Sequence, residues 1–106
     1  MIEIEQSSGN VYIDLGTPDA EAMQRKAQLA AKIGEIIKAR KWSQQQAAEV
    51  LGITQPKLSG MLRGQFRGIS ESKMIDCLAR LGRDVRIVIG KPHRTRATGH
   101  VEVEFA

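Results

Sequence analysis

Apolar residues recur along this chain with two different periods, and the change of period divides it. From Met23 to Ile37 they fall three and four apart. Met23, Ala27, Ala30, Ile33 and Ile37, joined by Leu29 and Ile36, make a broad stripe down one helical face. Thr17-Pro18-Asp19 is start chemistry for that helix. Thr17 caps it, Pro18 suits the first helical position, and Asp19 and Glu21 suit the positive end. Lys38, Arg40 and Lys41 crowd the last turn, so one long helix is predicted to end near Arg40. Three shorter helices are predicted after it. Ser43 caps Gln44–Leu51, stopped by Gly52, and Thr54 caps Gln55–Leu62, closed by Gly64. Ser70 caps a last helix that turns Met74, Leu78 and Leu81 inward and ends at Gly82.

Beyond Gly82 the period shortens to two. Val85, Ile87 and Ile89 alternate with Arg86 and Val88, and Val101, Val103 and Phe105 alternate with Glu102 and Glu104. Each run predicts a half-buried strand, with Gly90–His100 between them as a long basic loop carrying Lys91, Arg94 and Arg96. At the other end, Met1–Gly16 alternates weakly around Ser7-Ser8-Gly9-Asn10, which fits either a short hairpin or a loose arm. The chain thus reads as an arm at 1–16, a helical body at 17–83 and a β appendage at 84–106. Helices first and strands last is a mainly α class.

Composition narrows the function. A chain of 106 residues is one domain, and 42% hydrophobic residues with only 4% aromatic ones means an aliphatic core. No apolar run reaches the roughly 18 residues of a membrane span, the N-terminus is acidic, and one cysteine, Cys77, excludes an internal disulfide framework. A cytoplasmic domain with Cys77 in its core is expected. The net charge of +4 is unevenly spread: residues 1–24 hold five acids and no base, and the remainder holds all 16 bases against seven acids. A basic body suits a polyanion, and an acidic arm does something else. Catalysis has no support. His93 and His100 share one loop without carboxylates at ligand spacing, and there is no Gly-rich phosphate loop or nucleophile elbow. No catalytic residue, metal or cofactor is expected.

The informative stretch is SQQQAAEVLGITQPKLSGMLRG, Ser43–Gly64. It reads as two short capped helices joined by a tight turn. Ala47 and Ala48 are small where the helices approach, Gly52 suits a left-handed turn, and Ile53, Leu58 and Leu62 plug the core. Gln55, Pro56, Ser59 and Arg63 then fall on the outward face, where Gln and Arg suit adenine and guanine edges in a major groove.

Ser43-Gln44, Ala48, Gly52-Ile53-Thr54-Gln55, Leu58-Ser59 and Leu62-Arg63-Gly64 resemble the helix-turn-helix of phage Cro and repressor proteins, the xenobiotic-response-element-like (XRE) family. A wider pattern over roughly residues 7–90 (SSGNVYIDLGTPDAE, KAQLAAKIGEIIKAR, ITQPKLSGMLRGQF, CLARLGRDVRIVIG) resembles a subgroup of small helix-turn-helix proteins. Many of these are antitoxins beside a ribonuclease toxin of the host-inhibition-of-growth or RelE-like type. Trp42 departs from the pattern, which has Leu there; it suits a core plug or a partly exposed ring. The opening IEIE is also outside the pattern.

The resemblance implies a five-helix Cro/repressor-like domain with the C-terminal β-strand or hairpin as its appendage. It implies base reading by Gln55, Ser59 and Arg63, with Gln44 bonding a phosphate and bracing Gln55. Thr54, Lys57, Arg67, Arg40 and Lys41 are expected at phosphates or in bracing. One such helix spans few base pairs, so the expected partner is a palindromic duplex operator bound by a homodimer, joined by the C-terminal strands or by the last helix. A small basic ribonuclease toxin, met by the acidic residues 1–24, is the further partner implied. A stand-alone regulator without a toxin, and a protein-binding scaffold or RNA-binding module, are the competing readings.

Overall fold

The computed structural model describes residues 17–95 and 98–106. The arm at 1–16 and Arg96 therefore lie outside the described residues. Four helices run in order: α1 (Thr17–Ala39), α2 (Gln44–Leu51), α3 (Gln55–Leu62) and α4 (Glu71–Arg80). Each of the last three starts where a hydroxyl stands ready. The Ser43, Thr54 and Ser70 side chains accept hydrogen bonds from the backbone N–H groups of Gln46, Lys57 and Lys73.

The helices enclose one aliphatic core. Ile33 and Ile36 of α1, Leu51 of α2, Leu58 and Met61 of α3, and Met74 and Leu78 of α4 are all buried, as are Cys77 and Leu81. Each large side chain contributes roughly 1.5–3 kcal/mol of burial. Burial pushes the Cys77 thiol above its ordinary pKa, so it behaves as a small core hydrophobe. Gly34 lets α1 come close to α3: a Cβ there would stand 3.2 Å from Leu62 Cδ2. Trp42, Ile53 and Leu62 are only partly buried against the core, and Met61 fills the position expected of Leu62. Ala27, expected on the inner stripe, is exposed. It lines an open apolar groove between α1 and α3, with Ala31 and Gly34 on one side and Met61, Leu62 and Phe66 on the other.

Polar contacts fasten α1 to the rest. Arg25 donates from Nε to Glu71 at 2.7 Å, from Nη2 to the other Glu71 oxygen at 3.2 Å, and from Nη1 to the Val101 carbonyl at 3.1 Å. The fork holds the α4 N-terminus, and the bond to Glu71 raises the Arg25 pKa above its ordinary value. Lys26 donates to the Phe66 and Arg67 carbonyls, which fixes the connection between α3 and α4.

Two expectations fail here. The described residues hold four helices, not the five the resemblance implies, and no C-terminal strand or hairpin. After Leu81 the described residues offer no further helical run: four of the five residues Val85–Ile89 are β-branched and lose side-chain freedom in a helix. The two apolar runs do not pair because the second is held elsewhere. Val103 packs on the core, the Val101 carbonyl is taken by Arg25, Phe105 lies under Lys32 Nζ at 4.8 Å, and His100 Nδ1 is 3.5 Å from Glu21. A strand needs a ladder partner, and α1 takes the one at hand. Val85–Ile89 is left exposed.

This division predicts opposite outcomes for two truncations of similar size. Leu58→Ala should cost about 2–5 kcal/mol in urea unfolding, whereas Ile89→Ala should stay within about 0.5 kcal/mol for the single chain. Equal losses would contradict the core described here.

Candidate nucleic-acid interface

The geometry of α2 and α3 follows from their ends. At the start of α2 a reciprocal box forms: Ser43 Oγ accepts from Gln46 N at 3.1 Å, and Gln46 Oε1 accepts from Ser43 N at 3.0 Å. Gln46 is thereby used up in structure, which leaves Gln44 and Gln45 exposed in the same turn. At its other end Gly52 adopts φ 71, and the N–H groups of Gly52 and Ile53 both donate to the Ala48 carbonyl. Thr54 then restarts the helix, and Pro56 sits in the first turn, where its missing N–H costs nothing.

A side chain from α4 stands beside the turn. A Cβ on Gly52 would stand 3.1 Å from Arg80 Nη1. Arg80 is in turn held by Asp76, Nε to Oδ2 at 2.9 Å, and this hydrogen bond depresses the Asp76 pKa. The last turn of α4 therefore lies over the hinge between α2 and α3.

With Leu58, Gly60 and Met61 buried, α3 turns Gln55, Pro56, Lys57 and Arg63 outward, and Ser59 is half-buried. Gln55, Ser59 and Arg63 are four residues apart, which aligns them along one edge of the helix. The Gln55, Lys57 and Arg63 side chains make no hydrogen bond or ion pair within the described residues. Residues 55–70 hold Lys57, Arg63 and Arg67 and no acid. Beside α3 lies an open recess of about 410 Å³ lined by Thr54, Pro56, Lys57, Gly60, Gln65, Gly68 and Ile69. Gln65 lies beyond what the sequence pattern predicts, because nothing local to it signals a neighbour on α3.

The remaining expected residues divide. Thr54 spends its hydroxyl as the α3 cap, 3.3 Å from Lys57 N, and Gln44 makes no hydrogen bond with Gln55 in this structure. Arg40 has structural partners: its Nη2 donates to the Leu81 carbonyl at 2.9 Å, and its guanidinium lies 4.9 Å from the Trp42 ring centre. Lys41 is exposed at φ 59, a left-handed conformation that favours glycine, and so presents its charge at some backbone cost.

Two short helices at a tight turn, the second showing an acid-free polar edge, define a helix-turn-helix protein. Residues 11–90 match the family described as helix-turn-helix domain, and the chain belongs to that family. A solved structure described as an XRE-family transcriptional regulator is 39% identical. It superposes with a TM-score of 0.75, over 84% of this chain and 100% of that one. No curated protein matches the chain. Among the described residues, no helix is long and apolar enough to cross a membrane.

Gly52→Ala should destabilise the fold by about 1 kcal/mol, read by urea denaturation, because the left-handed backbone resists a side chain. The Asp76–Arg80 contact should show a pH signature. Because the folded Asp76 pKa is depressed, its contribution is present above the unfolded carboxylate pKa and is lost as pH falls through the lower folded value. Asp76→Asn should therefore lower the melting temperature more at pH 7 than at pH 2. An equal shift at both would remove the charge from the account.

Proposed function

We propose that this chain is a sequence-specific DNA-binding transcriptional repressor acting as a homodimer on a palindromic operator, and that it is not an enzyme. The observation that carries the reading is the outward edge of α3: Gln55, Ser59 and Arg63 in line, with Lys57 beside them and no acid nearby. Gln55 pairs with adenine through its amide, and Arg63 reaches a guanine edge or the backbone, with Ser59 between them. Lys57, Gln44, Lys41 and Arg67 meet phosphates, which fix position without reading sequence, and the amide ends of α2 and α3 add donors. Arg40 leaves this set because Leu81 and Trp42 hold it. Two copies place two α3 helices in successive major grooves about 34 Å apart, and occupancy of a promoter blocks transcription.

The finer role we assign is antitoxin: the chain represses its own operon and holds a small basic ribonuclease inactive in the cytoplasm. What supports it is the resemblance over residues 7–90 and the acids of residues 1–24, whose sign suits a basic partner. A stand-alone regulator of the same fold is the alternative.

Operator selection from random duplexes, followed by titration, tests the first reading. Gln55→Ala should weaken operator binding about 5–150-fold and leave non-specific binding unchanged. Lys57→Ala should weaken both, and reduce the log–log salt slope by about one. A chain that selects no duplex, or tolerates Gln55→Ala, is not a reader of this kind. The second reading expects a small basic protein encoded beside this chain; co-expression should relieve the growth arrest it causes, and removal of residues 1–16 should abolish relief. Relief that persists without them would assign the toxin contact to the helical body.

A further inference from the structure

The most anomalous surface of the molecule is the segment that follows α4. From Arg83 to His93 the chain runs without a helix, turn or bend, and every residue from Arg83 to Gly90 keeps φ out of the left-handed region. Ile87, Val88 and Ile89 are 78%, 83% and 90% exposed, and Val85 is 42% exposed. Residues 84–92 make no backbone hydrogen bond within the described residues; the last such bond is Arg83 N to the Leu78 carbonyl. A straight run of β-branched residues with its apolar side chains and backbone amides all in water is an interface without its other half.

We infer that the other half is the same segment of a second copy, laid antiparallel across a two-fold axis at Ile87. The inference rests on the homodimer of the proposed function, and it supplies the surface and the register.

Two observations favour a second copy. The segment is self-complementary about Ile87. An antiparallel pair about a two-fold perpendicular to it sets Ile87 opposite Ile87 and Val85 opposite Ile89, gathering six apolar side chains on one face. On the other face Arg86 stands opposite Val88 rather than opposite its own image. Neighbouring symmetric registers do worse: centring on Arg86 opposes two arginines, and centring on Val88 sets Val85 against Lys91 and Arg86 against Gly90. Arg83 opposite Lys91 is the one like-charged pair, and it falls at the ends, where both side chains reach water.

The segment also begins three residues after the end of α4, itself packed on α1, so a contact here joins two helical bodies through a short connection rather than a long tether.

The experiment uses the full chain without DNA, so its outcome stands or falls separately from operator reading. Sedimentation should show a dimer, and Ile87→Asp should weaken it about ten-fold or more while leaving the helical melting curve in place. Val101→Asp, on the exposed tail held by α1, should leave the dimer intact. Cysteine scanning reads the register, since the native Cys77 is buried. Opposed Cα atoms lie about 4.5–5.5 Å apart, within disulfide reach, so Ile87→Cys should link two chains on mild oxidation. Val88→Cys places its two Cα atoms about 8 Å apart and should link far more slowly. A monomer at all concentrations, or a dimer indifferent to Ile87→Asp, would overturn the interface. Faster linkage through residue 88 than residue 87 would overturn the register.

Discussion

A helix of eight residues has too few internal hydrogen bonds to repay its nucleation in water, and both α2 and α3 are of that length. Everything else in the molecule answers to this constraint. Their helicity is sustained by Leu51, Leu58 and Met61, sunk into the core that Ile33 and Met74 complete from α1 and α4. The same anchoring orients the polar edge: with Leu58 and Met61 held inside, Gln55 and Arg63 have nowhere to point but out. Rigidity of this edge is therefore a property of the core behind it.

The basic residues sort by whether the fold has already claimed them. Arg25 is taken by Glu71 and a carbonyl, Lys26 by two carbonyls, Arg40 by Leu81 and Trp42, and Arg80 by Asp76. Lys57 and Arg63 are not claimed by any neighbour in the described residues. A cation already satisfied by protein must give up that contact to meet a phosphate, so a count of positive charge overstates what this surface offers a polyanion.

What the sequence makes legible is what is decided locally. The caps at Ser43, Thr54 and Ser70 and the left-handed turn at Gly52 each depend on a few neighbouring residues, and each stands where the pattern puts it. Burial of Met74, Leu78 and Cys77 follows from helical spacing in the same way. The five-helix count came from a family likeness rather than from these residues, whose own pattern holds four helices. Alternation at Val85–Ile89 and Val101–Phe105 predicts strands, but pairing depends on a partner, and the second run lies against α1 instead. Arg40 was placed at phosphate because its acceptor, the Leu81 carbonyl, lies 41 residues away in sequence. The contact of Arg80 with the hinge was equally out of reach of any local pattern.

That last contact has an evolutionary corollary. Arg80 stands beside the bend between α2 and α3 from a helix outside that pair. If α3 reads a duplex as proposed, a change of bulk at the end of α4 is a change outside the reading edge that bears on its support. On that reading, two relatives with identical α3 sequences need not share an operator.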